Sequence, residues 1–68
     1  MFDGELFAAL VDRYINGRKA DRNRKILKEY YLQGYTYEEV AEHVGMSAVH
    51  VGRIVRKYGD SILLMMKK

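Results

Sequence analysis

The sequence predicts an all-α fold, a small bundle of four to five helices. Three observations predict it. Nearly half the residues are apolar (49%) and none is proline, so no residue locks the backbone out of helix. The six glycines fall mostly where helices should end. The apolar residues recur at three- and four-residue spacings, the period of a helix with one buried face.

A first helix is expected over residues 4–16, with Asp3 as its N-cap. Leu6, Phe7, Leu10, Val11, Tyr14 and Ile15 form a wide apolar stripe along it, and Gly17 ends it. A second is expected over 21–33, carrying Ile26, Leu27, Tyr30 and Tyr31 on one side, with Gly34 as its stop. The third has the clearest start signal. Thr36 and Glu39 are spaced as a capping box, each side chain satisfying a backbone N–H near the other. Val40, Ala41 and Val44 face inward, and Gly45 closes the helix after little more than two turns. Ser47 then caps a fourth helix that runs to Tyr58, with Gly59 read as a break. A short fifth helix is expected over 60–67, holding the apolar run Ile62, Leu63, Leu64, Met65 and Met66.

With 68 residues, the chain reads as one domain. It buries only about 60% of its unfolded surface, so marginal stability is expected. The absence of cysteine excludes disulfides, thiolate metal sites and cysteine nucleophiles. His43 and His50 lie on different expected helices and make a poor metal site. No cluster of histidine, carboxylate and nucleophile is visible, so neither an enzyme nor a cofactor is expected. The apolar runs are too short to span a bilayer, and Met1 does not open a secretory signal, so the expected location is cytoplasmic.

The net charge of +3 is unevenly distributed. Arg18, Lys19, Arg22, Arg24, Lys25 and Lys28 crowd into one segment opposed only by Asp21. Glu38, Glu39 and Glu42 follow, and Arg53, Arg56 and Lys57 restore the positive sign. A basic surface of this kind is common in nucleic-acid binders and equally in solvated helices, and charge alone does not choose between them.

Residues 36–58 do choose. Two helices crossing steeply through a very short turn need a residue free to take positive φ, and Gly45 supplies it. They need a small residue at closest approach, which Ala41 provides. Val40, Val44, Met46, Val51 and Ile54 supply the apolar wedge between them. At 100° per residue, Val51, Ile54, Val55 and Tyr58 gather on one side of the fourth helix. Val49, Arg53 and Arg56 lie opposite, flanked by Gly52 on one edge and by His50 and Lys57 on the other. An exposed face of arginine, glycine and a stranded valine suits the major groove, where arginine bonds guanine and an apolar group packs on a thymine methyl. The N-terminus of that helix, with Ser47, offers N–H donors to a phosphate. Gly52 inside the helix costs about 1 kcal/mol against alanine, an expense that close approach to a phosphate or to a neighbouring helix would offset.

Residues 36–58 resemble the helix-turn-helix of region four of bacterial sigma factors, and of small phage and prokaryotic regulators that share it. The resemblance rests on Thr36, Glu39, Val40, Ala41, Val44, Gly45, Met46, Ser47, Val51 and Ile54. Arg22 to Glu39 resembles the helix that leads into the motif. The resemblance implies that helix 47–58 enters the major groove of double-stranded DNA. It places base contacts at Ser47, Ala48, Val49, Gly52 and Arg53, with His50 at the rim. Backbone contacts fall to Thr36, Tyr37, Arg56 and Lys57. The basic segment, apart from the resemblance, offers Arg22 and Lys25 for flanking phosphate contacts, or serves as solubilising charge. Ala48 and Val49 depart from the pattern, being short and apolar where many such proteins carry a polar base reader.

A sequence-specific transcriptional regulator, a repressor of phage or mobile-element type, is the first expectation. The rival is a protein-interaction module that docks on RNA polymerase or a partner regulator. A homodimer is also expected, with Ile62, Leu63, Met65 and Met66 at its interface, because five consecutive apolar residues cover every side of a short helix; the alternative is that the segment closes the core of one chain against the first helix. The tyrosines Tyr30, Tyr31, Tyr35 and Tyr37 read as packing residues, and His43 as an unremarkable surface residue.

Overall fold

The computed structural model describes residues 2–67. It holds four helices: α1 (Gly4–Tyr14), α2 (Ala20–Tyr31), α3 (Tyr37–Val44) and α4 (Ala48–Met66), with no strand among the described residues. None of these helices is long and apolar enough to cross a membrane.

The local signals operate as their chemistry dictates. The Asp3 carboxylate accepts from the Leu6 amide at 3.0 Å and starts α1. At α3 both halves of the capping box are formed. The Glu39 amide donates to Thr36 Oγ1 at 3.1 Å, and the Thr36 amide donates to Glu39 Oε1 at 2.9 Å. Gly45 sits in the left-handed region at φ 70° and ψ 39°, where a side chain would be strained. Ser47 Oγ accepts from the His50 amide at 3.2 Å to open α4. Only α2 begins without a side-chain cap.

One core joins the helices. Phe7, Val11 and Ile15 meet Ile26 and Leu27 of α2, Val40 and Ala41 of α3, and Val51, Ile54, Val55 and Ile62 of α4, all buried. The Phe7 ring lies 4.8 Å from that of Tyr31, and Tyr30 stacks on Tyr37 at 4.8 Å. The tyrosines therefore pack. On the opposite side of α2, Lys28 bonds Asp12 at 2.8 Å and Arg24 donates to the Asp12 carbonyl at 3.2 Å, tying α2 to α1. The bonded Lys28 ammonium holds the Asp12 carboxyl below its ordinary range. His43 is more than surface: its Nδ1 lies 2.7 Å from Oε1 of the buried Glu29, which links α3 to α2.

Two expectations are corrected. Gly59 does not break the chain, and residues 60–66 continue α4 instead of forming a fifth helix. The stripe Val51, Val55, Tyr58, Ile62 and Met66 keeps one face turned inward across the glycine, so burial of Ile62 and Met66 carries the helix through. Gly59 is itself buried, and a Cβ built on it would lie 2.5 Å from Tyr31 Oη. The second correction concerns the expected dimer surface. Ile62 is 2% exposed in the core of the single chain, and Leu63 and Met66 pack against that core. Met65 is half-buried and Leu64 alone of the run stands out, at 67% exposed. A helix of this length turns Ile62 inward, so that residue is consumed by the core of the single chain.

Candidate nucleic-acid interface

The first turns of α4 project from the bundle as the sequence expects. Val51, Ile54 and Val55 anchor the helix inward, which leaves Ser47, Val49, His50, Arg53, Arg56 and Lys57 exposed on the far side. Val49 is 71% exposed on that face. Ala48 is half-buried at the shoulder. None of Arg53, Arg56 and Lys57 has a carboxylate partner among the described residues. Their charge is free for an anionic partner.

Two hollows flank this ridge. On the α3 side a hollow of about 340 Å³ lies between Tyr37 and Glu38 of α3 and Val49, Gly52, Arg53 and Arg56 of α4. Thr36, also exposed, stands at the start of α3 beside it. Gly52 is buried, and a Cβ on it would lie 3.2 Å from Tyr37 Cε2. Its close approach is therefore to the neighbouring helix. Tyr37, half-buried, rests its ring against α4 at this point, and its hydroxyl raises Tyr30 above the ordinary phenol range as a hydrogen-bonding neighbour.

On the α2 side a hollow of about 410 Å³ separates α4 from the α1–α2 connection. Arg18, Lys19 and Arg22 form one wall; His50, Arg53 and Lys57 form the other. No carboxylate among the described residues lines it. The basic segment 18–28 is thus split in two by the fold. Arg22 joins the α4 face, whereas Lys25 lies in a mixed-charge hollow with Asp12, Asp21 and Glu29, its Nζ 3.9 Å from Glu29 Oε2. Of the two residues expected to make flanking contacts, Arg22 therefore stands beside the α4 ridge and Lys25 stands in the hollow on the other face. Arg18 and Lys19 were read from the sequence only as members of the basic segment, and Asn23 was not singled out. The available signal was spacing: Lys19 and Arg22 are three apart, while Arg24 and Lys28 are four apart and answer Asp12.

The family model of Sigma-70, region 4 matches residues 20–57, from the first residue of α2 to the middle of α4. The chain belongs to that family. This region-4 chain is a DNA-binding helix-turn-helix module, and region 4 is not an enzyme family. No curated protein and no solved structure matches it. The family match spans the helix-turn-helix and α2, so the Arg22 wall and the α4 ridge both fall within region 4, whereas Asn16, Arg18 and Lys19 precede the matched segment.

Proposed function

We propose that this region-4 chain is a sequence-specific transcriptional regulator that seats the first three turns of α4 in the major groove of double-stranded DNA. The observation that carries the reading is the ridge itself: Val49, Arg53, Arg56 and Lys57 stand exposed, uncompensated by any carboxylate among the described residues, on the second helix of a helix-turn-helix. Arg53 takes the base-reading role, since a guanidinium bonds guanine O6 and N7 together, and Val49 is the contact for a thymine methyl. Lys57 and Arg56, a turn further along, neutralise phosphates. Thr36 and Tyr37 at the start of α3 and Ser47 at the start of α4 face the backbone on the other side. With so few polar base readers, part of the specificity comes from duplex shape. A DNA site occupied in this way would block or recruit transcription without any chemistry by the chain.

Selection from a random-duplex library at moderate salt, read by sequencing, tests this. An enriched motif is the expected result. Retention without enrichment that vanishes as salt rises would overturn sequence-specific recognition and favour docking on RNA polymerase or a partner regulator.

A further inference from the structure

The hollow on the α3 side of the ridge holds one residue that the contacts assigned so far leave unused. Glu38, the second residue of α3, is exposed and lines that hollow with Ala48, Val49, Gly52, Arg53 and Arg56. Its neighbour Glu39 already closes the capping box with Thr36, so the start of α3 does not depend on the Glu38 carboxylate for a cap. Glu38 takes part in no ion pair among the described residues, although two arginines share its hollow. A lone carboxylate beside a duplex repels phosphate and weakens binding, unless a donor on the DNA answers it.

The polar groups of the hollow complement one base pair. Arg53 and Arg56 carry donors only, Ala48, Val49 and Gly52 present no polar side-chain atom, and Glu38 is the charged acceptor. In the major groove a G·C pair shows two acceptors, guanine N7 and O6, and one donor, cytosine N4. The adenine N6 donor of an A·T pair is flanked on both sides by acceptors, its own N7 and thymine O4, which repel a carboxylate. Cytosine N4 has guanine O6 on one side and only the C5–H edge on the other. We propose that Glu38 is a specificity-determining residue, accepting from the N4 amino group of a cytosine in the pair that Arg53 reads or the pair next to it. The inference rests on the reading of α4 as a major-groove helix. It moves part of the base readout onto α3, and it sets a polar reader beside the apolar Ala48 and Val49.

The test compares the intact chain with Glu38→Ala and Glu38→Gln on the selected duplex and on duplexes changed at one base pair at a time, with thermal melting to confirm the fold. Removing a negative charge strengthens phosphate attraction on any duplex, so the readout is discrimination between duplexes and not affinity. The decisive probe is 2-pyrimidinone in place of each cytosine of the site in turn, which removes the amino group and keeps the ring. One position should weaken the intact chain about tenfold, the loss of one hydrogen bond to a charged acceptor, and leave Glu38→Ala indifferent. Glu38→Gln should shift preference at that position towards adenine, whose N6 and N7 a side-chain amide bonds together. Equal discrimination by the intact chain and Glu38→Ala at every position would overturn the assignment, leaving Glu38 as a charge that tunes affinity alone and duplex recognition standing. Discrimination lost only at an adenine, tested with purine riboside in its place, would overturn the cytosine assignment. Failure of the intact chain to bind any duplex selectively would overturn both this inference and the proposed function.

Discussion

Tyr31 lies on the backbone of Gly59, with its hydroxyl 2.5 Å and its Cε2 2.8 Å from where a Cβ on residue 59 would stand. The ring cannot simply retreat, because Phe7 sits 4.8 Å away on one side and Tyr30 5.1 Å away on the other. Gly59→Ala is therefore expected to destabilise the fold by about 1–3 kcal/mol through overpacking, although alanine gains about 1 kcal/mol of helix propensity. Tyr31→Phe removes the closest atom and should recover part of the loss. Urea midpoints of the two single variants and the double variant measure this; additive losses would contradict the contact.

Gly52→Ala should behave differently. The added methyl meets the edge of Tyr37 at 3.2 Å, a contact that a shift of a few tenths of an ångström relieves. The propensity gain and the displaced ring then nearly cancel, leaving stability within about 1 kcal/mol of the parent. Duplex affinity should fall, because the Tyr37 ring sets how α3 rests on α4. Melting and a DNA titration on the same protein separate the two effects.

Burial raises the Tyr31 phenol above its ordinary value of 10.0, with Asp60, Tyr30 and Tyr37 adding to it. The folded state thus holds this proton more tightly than the unfolded chain. The associated stability is complete below pH 10.0 and is lost as pH rises through the folded value. Denaturation midpoints followed into the alkaline range should decline more gently in Tyr31→Phe than in the parent.

Ile62 and Leu64 are two residues apart and face opposite ways. Ile62→Ala opens a cavity in the core and should cost about 2–5 kcal/mol, whereas Leu64→Ala should stay within about 0.5 kcal/mol. The melting temperature is expected not to vary with protein concentration, because Ile62 is buried within one chain. A concentration-dependent midpoint would restore an intersubunit role for this end of α4.

Arg53→Ala and Lys57→Ala separate reading from holding. The first should cost about 1–3 kcal/mol on the preferred site and relax choice at one base pair; the second should weaken all duplexes alike and lower the salt slope by about 1. Competition titrations with single-base variants of the site distinguish them.

Most of the fold was legible because its signals are local. Asp3, the Thr36–Glu39 box, Gly45 and Ser47 each act within four residues, and the inward stripe of α4 follows from helical period alone. Gly59 was misread because a glycine in an apolar stripe is the same letter whether it stops a helix or admits a neighbour. Only the position of Tyr31, 28 residues away in the chain, decides between them. The Glu29–His43 link between α2 and α3 was hidden for the same reason. The α4 ridge was visible in the sequence, but the division of the 18–28 basic segment between two faces was not, since it depends on where Asp12 and α4 come to lie.

Methylation interference on the selected duplex tests the central claim most directly. Methyl groups at guanine N7 lie in the major groove, where Arg53 is placed to bond that atom. Modification of a guanine within the site is expected to block the parent chain and to leave Arg53→Ala almost indifferent. Interference arising only from methylation at adenine N3, in the minor groove, would contradict the placement of α4 and the function built on it.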